Sequence, residues 1–443
     1  MEIRGGEVLG LGARVMRHKP RIVITGIGVV SPIGIGKKQF WHGLFEGRAA
    51  AKEITLFDAT TYPTRVAGEV RNFDPVEFMS FKEARRMDRS SQMIVSAAKM
   101  AVEDSKLDLN SDMSRIGVFT GTAIGGQAWA FREYEVFREK GLKRINPFTA
   151  ISTFPNASSA QLCAKFGFKG PSDTISSGCV SSTVALGYAL DHLKMRRVDV
   201  AIVGGTEAPL EPGIFGAYCA ARIMTQRHED PYRLPRPFDS QRDGIVLSEG
   251  AAVLVCETAE SAVTRGASIY AEIAGWSHNS DSFSMTMLNP DGIQATTVML
   301  NAISDAGLRI EEIDYIQAHA PGSIADDKSE AHAIQQALGD RTKDVPVVAV
   351  KSMIGHTQGA TGAMETVAAA LSIHKNTILQ SINCEKLDPA CFLNVHRDKP
   401  SYKSIHGLLL NTFGFGGKNA SLVLRPFPYD WHPEMYPPDV RHN

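Results

Sequence analysis

Val198-Asp-Val-Ala-Ile-Val-Gly-Gly205 sets six strand-compatible residues against two glycines, and the same grammar recurs along the chain. It appears at Arg21-Ile-Val-Ile-Thr-Gly26, at Arg115-Ile-Gly-Val-Phe-Thr-Gly121 and at Gly250-Ala-Ala-Val-Leu-Val255. Each run is short, largely apolar and bordered by glycine, as a buried strand in a sheet covered on both sides requires. Between the runs lie alanine-rich stretches of helical period, Ser90–Asp104 and Ser182–Lys194. Strands alternating with helices predict an α/β protein.

The second half repeats the order. Ile269–Ala274 reads as a strand, Ala295–Ala306 as a helix, and Asp314-Tyr-Ile-Gln-Ala-His319 as a strand ending in a loop. Ser329–Leu338 and Gly362–Ile373 read as helices. Leu408–Phe413 and Ser421–Leu424 read as a hairpin around Gly414-Phe-Gly-Gly417. Two halves with one grammar predict an internal duplication. The expected division is a polar extension over 1–19, one half over 20–268, a second over 269–425 and a tail over 426–443. Pro426, Pro428, Pro433, Pro437 and Pro438 bar that tail from helix and sheet interiors.

Composition narrows the function. Lys and Arg number 47 and Asp and Glu 48 in 443 residues, a net charge of −1, so no global field draws the chain to nucleic acid or an anionic membrane. No run approaches the roughly 18 apolar residues of a membrane span. The N-terminal residues lack the apolar stretch of a signal peptide. The six cysteines form no Cys-x-x-Cys and have no histidines at zinc-ligand spacing, so no metal is expected and a reducing, cytoplasmic setting is the plain reading. Gly26-Ile-Gly28-Val-Val-Ser31 half-matches a dinucleotide fingerprint, but Ser31-Pro32 stands where the third glycine and the helix should be.

Three segments place reactive side chains among small residues beside strand ends. In Asp173-Thr-Ile-Ser-Ser-Gly-Cys179-Val-Ser-Ser, Cys179 falls at or near a helix N-terminus, where unpaired N–H groups favour thiolate. The same turn is equally compatible with a buried structural cysteine. His319 ends a strand before Ala320-Pro321-Gly322-Ser323, and His356 stands between glycines in Lys351-Ser-Met-Ile-Gly-His356, nine residues before Glu365. Taken singly, either histidine is more commonly structural. Together, one thiol and two histidines match a chemistry that a protease triad does not need, namely two donors for one oxygen that becomes negative. Loss of CO2 from a malonyl thioester creates such an oxygen.

These motifs resemble the β-ketoacyl-acyl-carrier-protein synthases of the thiolase-like condensing enzymes, most closely the elongating synthase II type. The likeness covers roughly residues 20–425. It includes Gly121-Thr-Ala-Ile-Gly-Gly126, Arg236-Pro-Phe-Asp-Ser-Gln-Arg-Asp-Gly244, Lys351–His356 and Asn411-Thr-Phe-Gly-Phe-Gly-Gly-Lys-Asn419. The resemblance implies two duplicated halves in a five-layered α-β-α-β-α core, usually dimeric, with itself or with a related ketosynthase-like subunit. It implies Cys179 as the acyl-accepting nucleophile and His319 and His356 as the decarboxylation pair. Lys351 and Glu365 would order the site. The N–H groups of Cys179 and Phe415 would form an oxyanion hole, Phe415 and Phe413 a gate, and Ile124 a wall of the acyl pocket. Substrates would arrive on the phosphopantetheine of an acyl carrier protein, with no further cofactor.

An acidic carrier would need a basic surface. Lys82, Arg85, Arg86 and Arg89 fall at i, i+3, i+4 and i+7, one face of a helix if the segment is helical. Arg222 matches a family docking position. The sequence departs from the family's His-Gly-Thr-x-Thr, whose hydroxyls hold the pantetheine arm, because Pro321 has no hydroxyl and Ser323 supplies one. The Gly178-Cys179 pair is closer to type II polyketide ketosynthases. A thiolase would carry a second cysteine in the loop at Gly414–Gly417, which has none. A non-catalytic, chain-length-setting partner subunit is the other reading, and such subunits typically lack the nucleophile present here.

Overall fold

The computed structural model describes residues 20–110 and 112–428. The expected 1–19 extension and most of the tail lie outside the described residues. Five strands form the first copy: β1 (Ile22–Ser31), β2 (Ile116–Gly121), β3 (Ser172–Ile175), β4 (Val200–Glu207) and β5 (Gly250–Thr258). Five form the second: β6 (Ala271–Ser280), β7 (Tyr315–Gln317), β8 (Val347–Val348), β9 (Leu408–Gly414) and β10 (Lys418–Arg425). The spatial orders are β3-β2-β4-β5-β1 and β8-β7-β9-β10-β6, identical once each copy is counted from its own first strand. The directions repeat too. β2 pairs in parallel with β3 and β4, as β7 does with β8 and β9, while the remaining pairs in each copy are antiparallel. A three-residue antiparallel contact, Ile22–Ile24 against Ala271–Ile273, joins the two copies.

The helices complete five layers. α1 (Arg89–Ser105) and α2 (Ala157–Phe166) cover the outer face of the first sheet. α3 (Ser181–Lys194) follows β3. α4 (Ile293–Asp305) and α5 (Ile324–Leu338) belong to the second copy, α4 covering the outer face of its sheet and α5 packing against α4. α6 (Thr361–His374) follows β8. α3 and α6 pack on one another and touch strands of both copies, so they form the middle layer. Strand side chains alternate accordingly. Leu408, Leu410, Leu422 and Leu424 face the central layer, and Leu409 and Val423 face α4 and the outer core. Ala252 and Leu254 point to the centre while Val253 and Val255 point to the α1 side. Burial on both faces is why these strands read as unbroken apolar runs.

The Gly26–Gly28 stretch finds its explanation here. A Cβ on Gly28 would sit 1.9 Å from the Ala97 carbonyl oxygen of α1, so the glycine serves helix–strand packing. Gly121, the last residue of β2, lies on the first turn of α3. A Cβ there would fall 2.3 Å from the Ser182 nitrogen and 2.5 Å from the Ser181 carbonyl carbon, both rigid backbone. Gly121→Ala is therefore expected to cost about 1–3 kcal/mol, by overpacking, read as a lower urea midpoint with an unchanged m-value.

Candidate active site

The chain turns from β3 into α3 through Gly178, whose φ of +61° suits glycine. Ser181 fastens the turn, accepting from the Ser177 amide at 2.9 Å and donating to the Gly178 carbonyl at 2.6 Å. Cys179 precedes the helix's N-cap, Val180, so it stands just outside the helix end. The end of β9 lies directly over it. A Cβ on Gly414 would come within 3.1 Å of the Cys179 Cβ and 3.5 Å of its Sγ. The next residue, Phe415, directs its backbone N–H at the sulfur.

His319 leaves β7 on a loop held by one carboxylate. The amides of His319 and Ala320 donate to Glu330 of α5 at 2.8 and 2.7 Å, and Asn411 reaches the same carboxylate at 3.3 Å. The His319 carbonyl accepts from Lys351 Nζ at 2.5 Å, and Lys351 also pairs with Glu365 at 2.7 Å, both side chains fully buried. Ala320 carries a φ of +30°, a strained setting for a residue with a Cβ. The His319 ring stands at 85° to that of His356, with centroids 5.5 Å apart. Its Nδ1 is buried and has no hydrogen-bond partner among the described residues.

His356 Nε2 lies 3.2 Å from Cys179 Sγ. On its other edge, Nδ1 accepts the Gln358 backbone N–H at 3.3 Å and lies 3.1 Å from Thr361 Oγ1. A backbone amide can only donate, so Nδ1 is the acceptor and the ring proton sits on Nε2, facing the sulfur. Burial, reinforced by the Lys351 cation, pushes the His356 pKa down to about 3. Burial, Lys351 and His356 hold His319 well below the usual histidine range. Both rings are neutral donors at neutral pH.

The thiolate expected at Cys179 is corrected by the same environment. Burial pushes its thiol up to about 12, against the attraction of Lys351 and with help from Asp326 and Glu207. The sulfur is thus a thiol at rest, because desolvation outweighs a helix end that it precedes. Burial likewise raises Glu365 to about 7 against the Lys351 ammonium.

Cys179, His319 and His356 share one cleft of about 320 Å³. Phe415, Pro321, Ser323 and Arg222 line it as well, and Ser323 Oγ also caps α5 by accepting the Asp326 amide at 3.0 Å. Phe413 is buried beside the His319 ring, centroids 6.0 Å apart, and Phe415 is 38% exposed at the cleft. Ile124 stands apart from the cleft lining, which takes its neighbour Ala123 instead; the Ile124 amide donates to Glu207. That carboxylate also holds the amides of Ala123 and Gly359, at 2.6 and 2.9 Å, and so ties the loop after β2 to the His356 segment. Glu207 and Glu330 escape sequence reasoning because each acts by accepting the backbone amides of another segment. Their one signal is an acid at the end of a buried strand or on a buried helix face.

The basic helix expected over 82–89 does not form. A helix over Phe81–Ala84 ends at once, and Asp88 caps α1 by accepting the amides of Ser90 and Ser91 at 2.9 and 3.2 Å. Arg89 turns inward to a two-pronged pair with Glu249, both contacts at 2.7 Å. Lys82, Arg85 and Arg86 remain exposed. Among the described residues no group of three or more His, Cys, Asp or Glu is placed to hold a metal ion, and no helix is long and apolar enough to cross a membrane.

Comparison with known proteins places this geometry. The family model described as the β-ketoacyl synthase N-terminal domain matches residues 19–262, and the C-terminal domain of the same description matches 270–385. The chain is 39% identical over 408 residues to the 3-oxoacyl-[acyl-carrier-protein] synthase 2 of Coxiella burnetii, covering 92% of this chain and 99% of that protein. It is 37% identical over 411 residues to the synthase of the same name from a Synechocystis strain, covering 93% and 99%. Among solved structures it is similar to the ishigamide ketosynthase/chain length factor, with a TM-score of 0.87, 33% identity and coverage of 93% and 100%. A type II polyketide ketosynthase in complex with its acyl-carrier protein gives a TM-score of 0.85, 30% identity and coverage of 93% and 100%.

The thiol's raised pKa has a kinetic signature. Below its pKa the thiolate fraction grows tenfold per pH unit. Alkylation of Cys179 by iodoacetamide, followed by intact mass with Cys179→Ala as the blank, is expected to climb continuously from pH 6 to 10. A plateau near pH 7 would contradict the buried-thiol assignment.

Proposed function

This chain belongs to the β-ketoacyl synthase family and is an acyltransferase, and we propose that it joins an acyl-carrier thioester to malonyl-acyl-carrier protein by decarboxylative condensation, in fatty acid or, the reading preferred here, type II polyketide-like biosynthesis. The observation that carries this reading is the convergence of Cys179 Sγ, the His356 Nε2–H and the His319 ring on one cleft.

In the first half-reaction Cys179 Sγ attacks the acyl carbonyl. A carbon–sulfur bond forms, the carrier's carbon–sulfur bond breaks, and the departing carrier sulfur takes up the thiol proton. The Phe415 N–H, bonded to the sulfur at rest, and the Cys179 N–H are the donors offered to the carbonyl oxygen as it gains charge. In the second half-reaction a malonyl-carrier enters and its bond to CO2 breaks. The electron pair passes to an enolate whose oxygen accepts from the neutral imidazoles. Neutral rings suit this step because they donate without releasing a proton into the carbanion. The enolate carbon then attacks the acyl-Cys, the new carbon–carbon bond forms, and the sulfur leaves and is reprotonated from solvent. Two carbons are added, and the balance calls for no metal or nucleotide.

The polyketide assignment is supported by the Gly178-Cys179 pair, the loss of two threonines at Pro321 and Ser323, and the likeness to the type II polyketide ketosynthase structure above. Lys82, Arg85 and Arg86, with Arg222 at the cleft, are the cations offered to an acidic carrier. The chain is proposed to work as a dimer, with itself or with a related ketosynthase-like subunit, in a reducing cytoplasm where its six free thiols persist. A purely chain-length-setting subunit is disfavoured because the nucleophile is present and seated against its histidine.

Intact-mass spectrometry after incubation with acyl-carrier protein tests the reading. One acyl group is expected on the protein and none on Cys179→Ala. His319→Ala is expected to keep the adduct and to lose about 10²–10³-fold in release of CO2 from malonyl-carrier, the usual cost of one oxyanion donor. A folded protein that takes up no acyl group of any length would favour the partner-subunit reading.

A further inference from the structure

One carboxylate stands between the two segments that carry the reacting pair. Glu207, the last residue of β4, is fully buried. Its Oε1 accepts the Thr122 hydroxyl at 2.8 Å and the Ile124 amide at 3.2 Å, and its Oε2 accepts the Ala123 and Gly359 amides at 2.6 and 2.9 Å. Three of these donors belong to the loop after β2, and that loop is joined to the turn that carries Cys179. The Thr122 amide donates to the Ile175 carbonyl at 3.1 Å, and Ser176 Oγ donates to the Ala123 carbonyl at 3.2 Å. Ser181 Oγ, which closes the Cys179 turn, lies 3.2 Å from the Thr122 carbonyl oxygen. The fourth donor, Gly359, belongs to the short helical turn Gln358–Ala360 that follows His356. A Cβ on Gly359 would fall 2.3 Å from the Ala123 nitrogen and 2.6 Å from Glu207 Oε2, so the two loops press together over the carboxylate.

From this bracing we propose that Glu207 is a positioning residue for the condensation, setting the 3.2 Å approach of His356 Nε2 to Cys179 Sγ by joining the nucleophile's side of the cleft to the histidine's side. Glu207 makes no hydrogen bond to the sulfur or to either imidazole ring. The role rests on the acyl-enzyme reading above and adds a residue to it. His356 is anchored at its own backbone, where its amide donates to the Val246 carbonyl at 2.8 Å and its carbonyl accepts from the Ser248 amide at 3.0 Å. Beyond the ring, the Gln358 amide that fixes Nδ1 is followed directly by the Gly359 amide that Glu207 holds. A carboxylate suits this place because both oxygens accept and neither donates. A glutamine would turn its NH2 group toward two of the four donors and leave them unpaired in the interior. The imidazole would keep its backbone anchor and lose the far one.

The test is a double-mutant cycle read as release of CO2 from malonyl-carrier. Glu207→Gln, checked for native circular dichroism, is expected to lower kcat about tenfold or more while KM changes by less than about twofold, as a displaced donor requires. Placed on His319→Ala, the same substitution should cost the same factor again, because His356 still depends on the brace. Placed on His356→Ala, it should cost less than about twofold, because the donor it positions is gone. A loss of equal size in both backgrounds, or an unchanged kcat in folded Glu207→Gln, overturns the proposal. Should Glu207→Gln fail to fold, Glu207→Asp, which keeps the charge on a shorter arm, takes its place in the same cycle. Wild-type protein that neither releases CO2 nor takes an acyl group on Cys179 would instead overturn the acyl-enzyme reading, and this role with it.

Discussion

Burial, with one buried cation inside it, sets the electrostatics of this site. Lys351 is enclosed by protein, paired to Glu365 and bonded to the His319 carbonyl. From that position it discourages a second positive charge on either imidazole and attracts a negative charge on the sulfur. Burial acts on the histidines in the same direction and on the thiol in the opposite one. The outcome is two neutral imidazoles beside a protonated thiol. Electrostatic preorganisation of this kind needs no movement of charge before the reaction begins.

The duplicated fold makes the arrangement possible. In both copies the third strand runs to the same edge and is followed by a central-layer helix. Cys179 precedes α3 after β3, and His356 precedes α6 after β8. Because α3 and α6 pack together, the two equivalent strand ends meet, and residues 177 positions apart come within 3.2 Å. His319 and Phe415 leave β7 and β9, the two strands beside one another in the second copy. Glu207 and Glu330 then fasten these loops through backbone amides. A carboxylate that accepts several amides fixes loop geometry.

Local pattern reached the elements whose signals are local. The helix read at Ser90–Asp104 spans Arg89–Ser105, and that at Ser182–Lys194 begins one residue earlier, at Ser181. The strands Ile116–Gly121 and Val200–Glu207 were visible because burial on both faces writes an uninterrupted apolar run. The basic helix over 82–89 failed for a non-local reason. The i, i+3, i+4, i+7 spacing counts charges along one helix, but Asp88 starts a new one, and Arg89 answers to a glutamate 160 positions away. The thiolate at Cys179 failed similarly, since a helix terminus is legible in sequence and desolvation is not.

By itself, then, the chain's order of residues determined the α/β class and the duplication and singled out Cys179, His319 and His356, which share one cleft, because periodicity, glycine closure and motif spacing are properties of neighbours. Tertiary structure alone decided the protonation states, the meeting of Cys179 with His356, and the tie that Glu207 makes between the loop after β2 and the His356 segment. Those depend on burial and on contacts between segments far apart in the chain, and both come into being only on folding.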